Sequence, residues 1–405
     1  MTYRLTNVRI LTCRGDEVIE KGEVLFDETG IVEVGEQVNF KEYTCLEIDG
    51  TGMTVLPGLM DSHVHLGMDA SADPFDSMRN DGPEDLAFKA VQQGYDFLKC
   101  GITSVRNLGT RYNVDIAYRN AVSARGINGP RVFAAGSPIV MTGGHGHVMA
   151  IEADGCDEVR KAARSQLKAG ADLLKVMATG GVLTKGNEPG ATQFSEEELR
   201  CVCQEAEKVS KTTAAHTIGT EGIKNAIRAG VTTIEHAYLL DEEAVELMLK
   251  KGTYLVPTLL APRLILDKPG TVPDYMISKV QRIIEDHKVS FQMAHQAGVP
   301  IAAGTDAGTP FNLPGLLVDE LALMIEYGMT PYEAIHSATL AGAKAVKMEQ
   351  VLGSVEKGKR ADLIIVNGSP LEEIECLREP AYVFIDGRML HKNVTSEKIT
   401  KELKV

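Results

Sequence analysis

The sequence predicts an α/β protein: a (β/α)8 barrel with a small β-sandwich domain formed by both chain termini. Three observations predict it. Between residues 56 and 349, short apolar runs alternate with helical stretches, the pattern of a parallel sheet wrapped in helices. At both chain ends the texture changes to β-branched runs punctuated by Gly and Asp. Finally, five of the central apolar runs end in, or contain, a residue able to hold a metal ion, and a barrel collects its strand ends at one mouth. The expected division is residues 1–55 and 350–405 for the terminal β-domain and 56–349 for the barrel.

In chain order, Thr6 to Leu11, Val24 to Phe26 and Ile31 to Val34 read as the first short strands. Barrel strand 1 is the run from Leu56 to His65. Later strands fall at Thr103–Leu108, Arg131–Ala135, Leu173–Ala178, Thr213–Thr217, Thr232–Ala237, Tyr254–Thr258 and Pro300–Thr305. Helices are expected between them at Glu84–Lys99, Asp157–Ala169, Ser195–Ser210, Thr220–Ala229, Asp241–Lys251 and Tyr275–Ala297. Ser195 with Glu198 forms a capping box. Gly170, Gly230, Gly252 and Gly298 follow helical stretches where a left-handed C-cap is wanted. The tail returns to strands at Ala361–Val366 and Ala381–Gly387. A doubly wound open sheet is the competing architecture, but no Gly-x-Gly-x-x-Gly follows the first central strand.

The chain has 405 residues and a formal net charge of -14. That charge argues against nucleic acid and anionic membrane as partners, since phosphate surfaces demand basic patches. No apolar run approaches a membrane span, and the start lacks the form of a signal peptide. The seven cysteines are odd in number and scattered, which fits reduced thiols and a cytoplasmic location. Cys201 and Cys203 face different directions on a helix and read as packing residues.

The chemistry lies at the strand ends. His63 and His65 alternate along a strand and so point the same way, where two imidazoles can grip one cation. Lys175 stands inside the apolar Leu173–Ala178 run. Strand 5 ends at His216, strand 6 at His236 and strand 8 at Asp306. A protonated lysine would repel a metal, but burial favours its neutral amine. That amine can add carbon dioxide and become a carbamate, a carboxylate on a long arm with two oxygens to bridge two cations.

This set resembles the amidohydrolase superfamily in its two-metal form, over essentially the whole chain. The stretches Pro57–His65, Thr142–His145, Ala178–Val182 and Gly304–Gly308 are most similar to the branch of Xaa-Pro dipeptidases (prolidase-like), Xaa-Arg/Lys carboxypeptidases and ochratoxin-type amidases, with imidazolonepropionase more distant. The resemblance implies that His63, His65 and Asp306 hold one divalent ion and His216 and His236 a second. It implies that carboxylated Lys175 bridges both, as does a hydroxide. Zinc is the default metal, with manganese, iron and cobalt as alternatives. Asp306 would take a proton from the metal-bound water and pass it to the leaving amine. His145, in the Gly-rich loop after strand 3, would contact the substrate and share in catalysis. Tyr238, Arg106 and His147 are further candidates for substrate binding; for Arg106 a structural ion pair is the competing reading. The Gly-rich loop Thr179–Thr192 is long enough for a lid. The resemblance also implies a homo-oligomer.

The expected activity is hydrolysis of an amide or peptide bond next to a free carboxylate, in a dipeptide such as Xaa-Pro or Xaa-Arg/Lys or in an N-acyl amino acid. One departure bears on substrate: after His216 the chain reads Thr217-Ile218-Gly219, where the peptidase branch has Ala-Tyr or Ala-His. The alternative is a one-metal cyclic amidohydrolase or deaminase of the imidazolonepropionase kind. Those lack the strand 4 lysine and carry a Glu a few residues after the strand 5 His, where this chain has Gly219. A non-catalytic scaffold relative would have lost ligands that this chain keeps. His287, His295, His336 and His391 read as structural or surface residues.

Overall fold

The computed structural model describes residues 1–15, 17–40 and 43–393, and the backbone of 399–403. Both chain ends enter one nine-stranded sheet. Its hub is Thr2–Leu11, which pairs antiparallel with Val18–Asp27 and parallel, at successive positions, with Cys45–Asp49 and Met53–Pro57. Met53–Pro57 then pairs with Leu363–Asn367 from the far end of the chain, followed by Tyr382–Ile385 and Arg388–Lys392. Phe26 and Phe384 touch edge to face at 4.9 Å between ring centroids. Three strands separate theirs in the pairing order, and at ~4.8 Å per strand a flat sheet would hold them far apart. The sheet therefore folds back over a shared core that includes Tyr3, Phe26, Ile365 and Phe384.

The middle of the chain alternates helices with parallel strands. Leu59–Val64, Ile102–Asn107 and Arg131–Ala134 form one sheet. Leu173–Met177, Thr212–Thr217, Thr233–His236 and Tyr254–Val256 lie side by side in a second. Backbone hydrogen bonds tie the two sheets together at both edges. Asp172 N donates to Ala134 O at 2.7 Å on one side. On the other, the extended segment 300–307 bonds to Leu255 through Pro300 O and Ala302 N, and to strand Leu59–Val64 through Ala303 O and Asp306 N.

That segment is the one central strand expected from sequence that does not form a regular ladder; it makes only isolated bridges, at Ile301 and Ala307. Two features interrupt it. Gly304 packs so close that an added Cβ would lie 2.8 Å from His63 N, and Asp306 adopts a left-handed backbone (φ 65°). The expected helix at 275–297 is two helices, Asp274–Gln281 and Ile284–Ala297, broken at Ile283 (φ -125°, ψ -10°). An extra short pair, Ile139–Val140 with Ile151–Glu152, brackets the Gly-rich 142–147 loop and anchors it. Ser195 and Glu198 cap Glu196–Glu207 reciprocally. Gly170, Gly230, Gly252 and Gly298 take left-handed C-caps, as glycine does most readily. Among the described residues, no helix is long and apolar enough to cross a membrane.

Candidate active site

The strand ends converge on one cavity, with about 600 Å³ of space not filled by atoms and partly open to solvent. His63, His65, Lys175, His216, His236 and Asp306 all line it. His63 lies at the end of Leu59–Val64 and His65 just beyond. Their Nε2 atoms lie 3.3 and 3.2 Å from Asp306 Oδ1. Asp306 is held there by its own N–H on His63 O and by Thr305, whose hydroxyl and N–H donate to Asp61 at 2.6 and 3.0 Å. His236 would face away from Glu235 by strand alternation. Its left-handed backbone (φ 72°) ends the strand there, and it joins the cavity.

The far nitrogen of each imidazole fixes what the near one offers. His65 Nδ1–H donates to Gly109 O at 2.9 Å, and His63 Nδ1–H to Glu235 at 2.9 Å. The Thr258 hydroxyl already donates to Pro257 O, so it accepts from His236 Nδ1–H at 2.7 Å. A neutral ring bonded in this way turns its Nε2 lone pair inward. Burial, and then the nearby Lys175 ammonium, hold His63 far below its usual pKa; burial holds His236 down at about 4. Burial alone would raise the Asp306 carboxyl; positive charge on its His63 and His65 side lowers it, and where those rings are neutral that charge has to come from a cation among them. Neutral lone pairs against a carboxylate oxygen repel unless a cation lies among them. His216 Nε2 is buried with no hydrogen-bond partner among the described residues, a cost to the fold unless a ligand satisfies it. The donor set of neutral imidazole nitrogen and carboxylate oxygen thus fits divalent metal. His63, His236 and Asp306 form a close trio, with ligand atoms within 4.8 Å of one another.

Lys175 is 2% exposed. Burial lowers its pKa to about 8, against the pull of Glu235 and Asp306. A neutral amine is therefore accessible near physiological pH.

His145 lines the cavity and stacks on His216, with centroids 4.4 Å apart. Tyr238 lines it too, backed by His287 stacked at 3.9 Å. His147 does not line it; its Nδ1 bonds back to Gly144 O within its own loop. Arg106 requires a correction. It is not a wall of the cavity but is fully buried, its guanidinium donating to Ser62 O, Thr233 Oγ1 and both oxygens of Glu235. Glu235 accepts from both Arg106 and His63, so the arginine orients a histidine through a shared carboxylate.

Sequence reasoning passed over Glu235, Asp61, Thr258, Thr184 and Lys279. Glu235 and Asp61 carried a signal, each being a carboxylate inside an apolar strand and two residues from a partner on the same face, Thr233 or His63.

The amidohydrolase family model matches residues 54–390. The chain belongs to the amidohydrolase family. Ochratoxinase from Aspergillus niger is 34% identical over 366 residues, covering 81% of this chain and 73% of that protein. A solved Xaa-Pro dipeptidase with methionine in its active site superimposes with a TM-score of 0.90 at 34% identity, over 97% of this chain and all of that one. A prolidase complexed with N-methylphosphonate-L-proline gives 0.88 at 28% identity, over 97% of this chain and 100% of that one. This amidohydrolase is accordingly a hydrolase of carbon–nitrogen bonds.

Proposed function

We propose that this amidohydrolase holds two divalent cations and cleaves an amide or peptide bond next to a free carboxylate, in a dipeptide or an N-acyl amino acid. The observation that carries the reading is the convergence of five nitrogen or oxygen donors on a buried, partly neutral lysine in one cavity. In this reading the central strands close as an eight-stranded barrel (56–349), and the folded terminal sheet is a sandwich domain (1–55 with 350–405). His63, His65 and Asp306 would hold one ion and His216 and His236 the other, with carboxylated Lys175 between. Zinc suits this set. Cations bound there would acidify a water and polarise the scissile carbonyl.

The chain's own groups do the rest. Asp306, ionised at the cavity, accepts the proton of the attacking water and gives it to the amine nitrogen as the C–N bond breaks. His145 and Tyr238 reach the substrate from the wall. Burial holds His145 at about 3 and drives the Tyr238 hydroxyl up, so both act as neutral hydrogen-bonding groups. The remaining wall is apolar apart from Thr309, with Phe75, Met149, Met177, Leu183, Ile218 and Ile265. Among the described residues its lining includes no arginine and no carboxylate other than Asp306. A basic substrate side chain would be desolvated there without a partner, which favours apolar side chains over Xaa-Arg or Xaa-Lys. Ile218 stands where the peptidase branch has Tyr or His. The ochratoxinase, and the dipeptidase and prolidase with methionine and a proline analogue bound, support a small amide with apolar flanks. The seven free cysteines suit a cytoplasmic setting.

The test is metal per chain by elemental analysis on wild type and Lys175→Ala, followed by a screen of apolar dipeptides and N-acyl amino acids. Near two equivalents, falling sharply in the variant, is expected. One equivalent unchanged by the substitution would refute the bridge. It would favour a one-metal cyclic amidohydrolase, a reading to which the close trio of His63, His236 and Asp306 gives some support.

A further inference from the structure

Thr184 sits in the Gly-rich loop after Lys175, with its hydroxyl 3.0 Å from His145 Nδ1. The same oxygen accepts the Gly146 N–H at 2.9 Å. Its own proton must go somewhere, and among the described residues His145 Nδ1 is the acceptor in reach. If Nδ1 carried a proton instead, the oxygen would face two N–H donors and a buried hydroxyl proton would be stranded, the costlier arrangement. A chain of bonds therefore runs from Gly146 N–H through the Thr184 hydroxyl to a bare His145 Nδ1. In a neutral imidazole the proton is then on Nε2.

We infer that Thr184 is a positioning residue that sets His145 as the Nε2–H tautomer, opposite to His63, His65 and His236, so that His145 donates a hydrogen bond to a substrate oxygen. His145 Nε2 has no hydrogen-bond partner among the described residues, and the ring lines the cavity. The ring is also placed tightly: a Cβ on Gly181 would lie 2.6 Å from Nε2. The loop that carries Thr184 is anchored from outside. Lys279 Nζ donates to Gly181 O, Val182 O and Thr184 O at 3.0, 3.2 and 2.7 Å, and Tyr275 donates its hydroxyl to Leu183 O at 2.9 Å. The break at Ile283 sets these two residues on their own short helix, Asp274–Gln281. The cationic hold of Lys279 on three carbonyls makes the loop a fixed wall and keeps the Thr184 hydroxyl in register with Nδ1.

The catalytic consequence rests on the amide-hydrolysis reading above; the tautomer does not. The test uses full-length protein labelled with 15N-histidine, in which imidazole nitrogen shifts separate the two neutral tautomers without substrate. The signals lost in His145→Asn should report a protonated Nε2 and a bare Nδ1 in wild type and in Thr184→Ser. They should change in Thr184→Val, which keeps the volume but offers no hydroxyl. A wild-type Nδ1–H tautomer, or one that Thr184→Val leaves as Nε2–H, overturns the inference. On a turned-over amide, Thr184→Val and His145→Asn should each lower kcat/KM by roughly 10²-fold, the effect of losing one aimed donor. The double variant should be no worse than His145→Asn, and Thr184→Ser should restore the rate. Additive losses would mean that Thr184 acts independently of His145 and would overturn its assignment as a positioning residue. If no amide is turned over, the proposed function fails while the nitrogen shifts still decide the tautomer.

Discussion

Arg106→Met separates a structural arginine from one that binds substrate. Both Arg106 and Glu235 are 0% exposed. The substitution removes bonds to Ser62 O, Thr233 Oγ1 and both Glu235 oxygens. Glu235 keeps the Thr233 hydroxyl and His63 Nδ1–H but loses the cation hydrogen-bonded to it. Removing one partner of a buried ion pair costs about 3–5 kcal/mol, a large share of a typical total of roughly 5–15 kcal/mol. Urea unfolding of metal-free protein should show that loss. KM for a carboxylate-bearing substrate should move less than about 3-fold, because Arg106 does not line the cavity. An arginine bonded to the substrate carboxylate would instead raise KM by about 10–100-fold, the worth of a charged hydrogen bond. Arg106→Met/Glu235→Leu should recover most of the stability, since an apolar pair can replace a buried ionic one. It should not recover activity, because His63 loses the acceptor for Nδ1–H. A raised KM with unchanged urea midpoint would refute the structural reading.

Gly304→Ala should lower metal content and activity by at least tenfold, because the new Cβ would fall 2.8 Å from His63 N and 2.6 Å from Val256 Cγ1; elemental analysis and circular dichroism would separate loss of metal from loss of fold. Reactivation of metal-stripped protein with metal and bicarbonate should speed up as pH rises. The Lys175 amine, lowered to about 8 by burial, is mostly neutral above that pH, and its neutral fraction falls about tenfold per unit below it. Reactivation rates at pH 6, 7 and 8.5 check this, and a flat profile would contradict carboxylation of Lys175.

The sequence by itself determined the alternation of strands and helices, and which strand ends carry donors. Both are local: apolar runs of five or six residues, Gly after helical stretches, and a lysine or histidine where the run should be apolar. The period of two put His63 and His65 on one side, and one cavity collects the six donor residues named from sequence. Tertiary structure alone decided three things. It decided that Arg106 belongs to Glu235, because a partner 129 residues away leaves no local trace. It decided that His236 faces the cavity, because a left-handed turn overrides strand alternation. And it decided which tautomer each imidazole takes, because that depends on the group at its far nitrogen: Gly109 O, Glu235, Thr258 and Thr184, each brought there by a different loop or strand. Donor identity is written along the chain, whereas donor direction depends on contacts between distant segments that only folding creates.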